Sequence, residues 1–179
     1  MPGHKGLLGP QGTGLLLCAQ PGKPLLFGGT GTLSREKTMP EDLPERLEAG
    51  TVNVPGAAGL AAGLRLVRSL TPEKIFARGH GQAMACARGL EAMGYRVFSG
   101  PDQAMTVSFQ GRADCEEIAE FLGSRGIAVR AGLHCAPLAH ESAGTLERGT
   151  VRVSFGHDAS PAQTRALLET LGERKMRKG

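Results

Sequence analysis

Residues 104–130 read AMTVSFQGRADCEEIAEFLGSRGIAVR, and the architecture of the chain turns on them. Ala104 to Phe109 reads as a strand. Asp114 then stands where a helix N-cap belongs, the helix runs through Ser124, and Gly126 stops it. Ile127 to Arg130 reads as a second strand. Downstream, Val151, Val153 and Phe155 fall on one face of a further strand, and Ser160-Pro161 opens a final helix to about Glu173. Upstream, Tyr95 to Phe98 is another strand. Thr71-Pro72-Glu73 starts a helix, with Thr as cap and Pro in the first position, and that helix runs to Met93 before Gly94 ends it. Pro55 to Leu70 is also helical, and its small residues, Gly56, Gly59 and Gly63 among them, predict close packing against another surface. From about residue 71 on, the pattern predicts an α/β sandwich, one small sheet covered by helices.

The N-terminal part is looser. Gly3 to Gly14 holds five glycines in twelve residues and reads as loop. Leu15 to Ala19 reads as a short buried strand closed by Pro21-Gly22. Phe27 to Gly50 is turn-rich and long for a structureless connection, which marks it as functional or disordered. With 40% hydrophobic and 21% charged residues the chain is globular rather than disordered. Its net charge of +4 owes much to the tail Glu173-Arg174-Lys175-Met176-Arg177-Lys178, read as a solvated helix end. No basic stripe interleaved with aromatics accompanies it, so no nucleic-acid partner is expected. No apolar run approaches the ~20 residues that cross a bilayer, and the first residues carry no signal-peptide pattern. The expectation is a cytoplasmic protein that engages no membrane, with Cys18, Cys86, Cys115 and Cys135 as reduced thiols. None of them forms a CxxC pair, so no metal is expected. Cys18, in the predicted strand, and Cys86 and Cys115, in predicted helices, are read as structural.

Three stretches do not read as ordinary structure: Gly3-His4-Lys5-Gly6, Glu48-Ala49-Gly50-Thr51-Val52-Asn53, and Arg130-Ala131-Gly132-Leu133-His134-Cys135-Ala136-Pro137. Singly, each has a plain alternative. Lys5 fits a surface lysine, Thr51 and Asn53 fit a turn or helix lead-in, and His134-Cys135 fits a buried pair. Cys135 nevertheless has a histidine beside it and Arg130 five residues before it, cations of the kind that favour thiolate at a nucleophilic cysteine.

In this order, the three stretches resemble the pyridoxal-phosphate-dependent cysteine desulfurases and selenocysteine lyases of the class V aminotransferase family, over nearly the whole chain. Gly3-His4-Lys5-Gly6-Leu7-Leu8-Gly9-Pro10-Gln11-Gly12 is similar to the family's Schiff-base lysine segment, and Gly28-Gly29 to the glycine turn after it. Glu48 to Asn53 resembles the segment whose threonine binds the cofactor phosphate of the partner subunit. Arg130 to Ala136 resembles the catalytic-cysteine loop, and Thr150-Val151-Arg152-Val153-Ser154 the strand whose arginine holds the substrate carboxylate. Arg152 follows Cys135 by only seventeen residues, as in the branch of the family with a short cysteine loop.

The resemblance implies an α/β fold: the end of a fold-type I large domain with its connecting helix over 1–70, then the small C-terminal α/β domain over 71–179. It implies Lys5 and Cys135 as catalytic residues. Lys5, His4 and Thr51 would contact the pyridoxal 5'-phosphate, and Arg152, Arg130 and Asn53 the substrate. His4 and Arg130 have plain packing or pairing alternatives. A buried Lys5 with cationic neighbours would keep its amine available. L-cysteine would be converted to alanine, leaving a persulfide on Cys135 for a sulfur-acceptor protein to collect, and the full-length enzyme would be a homodimer. Only four residues precede Lys5, where the family carries most of its large domain, including the aspartate on the pyridine nitrogen. The expectation is therefore the C-terminal portion of a cysteine desulfurase, inactive alone. The alternatives are a non-catalytic interaction module, and a selenocysteine lyase or other class V aminotransferase.

Overall fold

A computed structural model describes residues 1–20 and 22–178. Pro21 of the expected Pro21-Gly22 turn lies outside them, as do the side chains of the basic tail from Lys175 on. The chain divides into two compact units, one spanning Met1–Leu70 and one beginning at Thr71.

In the first unit, residues 1–15 close into a loop. Its base is an antiparallel bridge between Pro2 and Gly14, backed by Gly3 N donating to Thr13 O at 2.8 Å and Leu15 N to Met1 O at 2.9 Å. After it the chain runs irregularly, apart from a short 3-10 turn at Glu45–Leu47, to helix α1, Val54–Leu70. The small residues of α1 do admit close packing. A Cβ on Gly63 would lie 2.5 Å from Leu7 O, and one on Gly59 about 3.0 Å from the Pro10 ring. Larger residues there would push the loop off the helix.

The expected strand at Leu15–Ala19 is not formed. Only Leu15 is paired, with Met1; beyond it the segment is irregular, Leu16 and Leu17 are 76% and 79% exposed, and Cys18 is exposed rather than structural. Apolar character alone does not make a strand; backbone donors and acceptors need a neighbour, and past Leu15 no backbone hydrogen bond among the described residues continues the pairing.

The second unit runs α2 (Pro72–Ala92), β1 (Arg96–Phe98), β2 (Thr106–Gln110), α3 (Cys115–Gly123), β3 (Arg130–Gly132), α4 (Pro137–Ser142), β4 (Thr150–Ser154) and α5 (Pro161–Lys178). Thr71 caps α2 through Lys74 N, and Asp114 caps α3 through Glu116 N at 3.0 Å, as read from the sequence. Gly94 and Gly126, both at φ +75°, end the two helices in the left-handed conformation. The four strands form one antiparallel sheet in the order β1-β2-β4-β3.

Strand alternation gives this sheet two unlike faces. Val107, Phe109, Val151 and Val153 point to the side where Ala83, Cys86, Leu90, Ile118, Leu122, Leu167 and Leu171 of the helices complete the core. Each fully buried Leu, Ile or Phe there stabilises the fold by about 1.5–3 kcal/mol. The other face carries Phe98, Ser108, Arg152 and Arg130 in one cross-strand row.

Two differences from the expected elements sit beside the site. The strand expected at Ile127–Arg130 is displaced to Arg130–Gly132, because the antiparallel pairing with β4 begins at Arg130 opposite Arg152. Helix α4 was not anticipated; six residues are too few to show a helical period. Among the described residues no helix is long and apolar enough to cross a membrane.

Candidate functional site

Within the second unit, the residues singled out in the sequence converge at the end of β3. Strand β3 ends on Gly132, whose φ of +101° only glycine adopts freely. After Leu133 come His134 and Cys135 with φ of +54° and +61°. Two successive non-glycine residues in the left-handed region cost roughly 1–2 kcal/mol each. Strain of this kind persists only where surrounding contacts impose it, and it marks functional positions. Here it turns the chain out of the sheet, leaving Cys135 exposed immediately ahead of α4.

The Cys135 sulfur lies 3.6 Å from a guanidinium nitrogen of Arg130, which donates to it. Arg130 in turn faces Arg152 across the β3–β4 pair. Like charges directly opposite destabilise a sheet, and among the described residues no carboxylate pairs with either arginine. Arg152 Nε is buried without a hydrogen-bond partner among the described residues. A buried, unmatched guanidinium N–H beside a second cation is an anion site in its chemistry.

His134 differs from expectation. Its Nε2 lies 3.1 Å from Thr150 O and 3.0 Å from Thr150 Oγ1. A carbonyl only accepts, so Nε2 carries the proton and Nδ1 is left as a bare acceptor, buried and without a partner among the described residues. Burial, then the charge of Arg152, hold its pKa below the ordinary histidine value. His134 is therefore a neutral strut between the cysteine loop and β4, not the second cation beside Cys135. Its ring centroid lies 5.6 Å from that of buried His140, whose Nδ1 is 2.8 Å from Thr145 Oγ1.

In the first unit, Lys5 opens a turn closed by Leu8 N donating to Lys5 O at 3.0 Å, with Gly9 N bonded to Gly3 O beneath it. A Cβ on Gly3 would run into Thr13, so this glycine is required for the loop to close. His4 and Lys5 are both exposed, so the anticipated burial of Lys5 is not present in this unit. The Lys5 ammonium makes no hydrogen bond or ion pair among the described residues. The glycine turn and the Thr51 segment are joined by Gly50 N donating to Gly29 O at 2.7 Å. Thr51 is exposed; Asn53 Oδ1 accepts from Gly56 N at 3.0 Å and so caps α1.

The remaining cysteines separate by environment. Burial pushes the Cys86 thiol up to about 12. Burial, then the Glu116 carboxylate, raises Cys115 to about 11. Asp114, Cys115 and Glu116 bring three ligand-type atoms within 4.8 Å of one another, but Asp114 is occupied as the α3 cap and the Cys115 thiol donates to Glu116.

Comparison with known proteins gives a consistent result. The family described as Aminotransferase class-V matches residues 1–167. A probable cysteine desulfurase of Methanothermobacter thermautotrophicus is 34% identical, over 96% of this chain and 46% of its own length. One from Vibrio cholerae is 32% identical, over 94% of this chain and 43% of its own. Among solved structures, the apo cysteine desulfurase of Thermococcus onnurineus NA1 superposes with a TM-score of 0.83 at 30% identity, covering 96% of this chain and 45% of that one. The cysteine desulfurase CsdA of Escherichia coli, in an S-sulfonic acid form, superposes at 0.82 with 29% identity, covering 96% and 44%. The chain thus spans less than half the length of the relatives it matches.

Proposed function

The chain belongs to the class V aminotransferase family, and we propose that it is the C-terminal portion of a cytoplasmic cysteine desulfurase that takes sulfur from L-cysteine and passes it to an acceptor protein. Its α/β fold is that of the pyridoxal-phosphate fold-type I enzymes. The observation that carries the reading is the exposed Cys135, turned outward by two left-handed residues, with Arg130 on its sulfur and the unmatched Arg152 on the next strand. A general aminotransferase has no use for a thiol built out at such a position.

Pyridoxal 5'-phosphate is the cofactor of the family, and the donor set of the first unit suits it in kind. Lys5 offers an unpaired primary amine on a turn fixed by backbone hydrogen bonds, and Thr51 offers a hydroxyl beside the start of α1 for a phosphate. In the family's homodimer Thr51 would serve the partner subunit's cofactor. When bound, the cofactor supplies an electron sink for the pair released at the substrate α-carbon.

Lys5 moves protons at that carbon. Arg152 holds the substrate carboxylate, matching its unpartnered Nε–H. Arg130 donates to the Cys135 sulfur and orients it for attack. The thiolate attacks the substrate sulfur. An S–S bond forms as the C–S bond breaks, the carbon takes up a proton, and the products are alanine and a Cys135 persulfide. His4, exposed on the Lys5 turn, would contribute to the cofactor site beside Lys5. Asn53 has its carbonyl oxygen engaged in capping and retains only its amide nitrogen for substrate.

The assay joins the chain with the N-terminal portion that its relatives carry. Borohydride reduction in the presence of the cofactor should label Lys5, and L-cysteine should yield alanine with a persulfide mapped to Cys135. Cys135→Ala should lower alanine release by at least about 100-fold, the scale of losing a nucleophile. Alanine release undiminished in that variant, or label absent from Lys5, would reject the proposal.

A further inference from the structure

We propose that Arg148 is a positioning residue for Cys135, a role that rests on reading Cys135 as the reactive thiol. Arg148 lies on the returning limb of the cysteine loop, thirteen residues beyond the cysteine. One of its terminal nitrogens donates to three successive carbonyls, Gly111 O and Arg112 O at 3.1 Å and Ala113 O at 3.3 Å. These three carbonyls form the turn between β2 and α3 and point together, a concentration of partial negative charge that a guanidinium satisfies. The returning limb is thereby clamped to an element rooted in the core.

The next two residues carry the constraint back to the cysteine. Gly149 packs so closely on Gly132 that an added Cβ would lie 2.9 Å from the Gly132 Cα. Its carbonyl accepts from Gln110 Nε2 at 2.7 Å. Thr150 then receives His134 Nε2 on both its oxygens. Three consecutive residues, 148 to 150, thus fix the turn, the end of β3 and the imidazole. The His134–Cys135 pair stays in its left-handed conformation because both limbs of the loop are held. Released at Arg148, the returning limb relaxes, the strained pair reverts toward ordinary backbone, and the thiol leaves Arg130. Arg148 is itself exposed, so removing it opens no cavity in the core.

The test reads the electrostatic setting of the thiol in the full 179-residue chain. Alkylation rates are measured with anionic iodoacetate and neutral iodoacetamide, and mapped by mass spectrometry to each cysteine. Cys18, exposed and in the other unit, is the internal reference. In the unaltered protein Cys135 should favour iodoacetate relative to Cys18 by about five-fold, the scale of one charge contact near 4 Å in water. Arg148→Met, which keeps the stem, should abolish that preference without changing Cys18, and Arg148→Lys should restore part of it. General unfolding would instead expose Cys86 and Cys115 to both reagents, which tells a misfolded variant from a displaced loop; the proposal then stands or falls on Arg148→Lys, which must show a reduced preference in a folded chain. An undiminished preference in folded Arg148→Met overturns the positioning role and leaves the proposed chemistry of Cys135 standing. Absence of any preference in the unaltered protein overturns the relay at its last link, the pairing of Arg130 with Cys135. The desulfurase reading is decided separately, by alanine release.

Discussion

At the scale of single residues, His134 couples the loop to pH. Its folded-state pKa is depressed, by burial first and then by Arg152, so the unfolded chain binds the proton more readily than the folded one. Stability therefore rises with pH between the lowered value and the ordinary 6.5. It is fully present above 6.5 and is lost as the pH falls below it. A protonated imidazole would stand against Arg130 and Arg152 together. Urea midpoints of the unaltered protein should fall between pH 7.5 and 5.5, and His134→Gln, which keeps a donor for Thr150, should fall less over the same interval. Equal slopes for the two proteins would remove His134 as the titrating group. Lys5, Cys135 and Arg152 were singled out by the resemblance of their segments to the family's, and the roles proposed for them rest on it. Arg148 was not, since its targets are backbone carbonyls that any sequence presents. Nor was the neutral state of His134, which follows from its burial and from the charge of Arg152, eighteen residues away.

At the scale of elements, the cysteine loop depends on two glycines meeting at its base. Gly126 and Gly149 both have positive φ, but a Cβ on Gly126 would enter open space whereas one on Gly149 would strike Gly132. Gly126→Ala should cost about 1 kcal/mol through backbone strain alone. Gly149→Ala adds a steric clash between strands and should cost about 3 kcal/mol. Equal shifts in the urea midpoint would mean that the β3–β4 approach is looser than described. Helices α1, α2, α3 and α5 and strand β4 were readable because caps, glycine stops and alternation are written locally. Strand β3 was read three residues early, since Ile127–Val129 has a strand's composition and only the pairing partner decides where a ladder begins. Helix α4 opens on Ala136, which makes no side-chain cap hydrogen bond, so no capping residue announced it.

At the scale of the whole molecule, the first unit displays a run of large apolar side chains to solvent. Leu16, Leu17, Leu25, Leu26 and Phe27 are between 73% and 94% exposed. Side chains exposed to this degree promote association. The chain expressed alone should scatter light increasingly with concentration, and Leu16→Ser combined with Leu26→Ser should reduce this while leaving Cys86 and Cys115 protected from alkylation. Scattering unchanged in the double variant would mean that the association lies elsewhere. The family and the α/β fold were legible at this scale from three short motifs in order. The failure of Leu15–Ala19 to become a strand was not, because a strand is a property of two segments and composition reports only one of them.

Strand β4 places Val151 and Val153 in the core and Thr150 and Arg152 on the face of the site. Two selections are therefore interleaved along one strand, letter by letter. A library of β4 variants screened for resistance to proteolysis would hold positions 151 and 153 and let 152 drift. On the proposed role of Arg152, the same library joined to the N-terminal portion and screened for turnover would hold 152 and, within the limits of folding, tolerate modest exchange on either side. Sliding the strand by one residue exchanges both roles at once, so neither requirement is rescued by a shift of register. If Arg152 has the proposed role, new substrate preferences would be reached by rewriting alternate positions, with the intervening ones left as they stand.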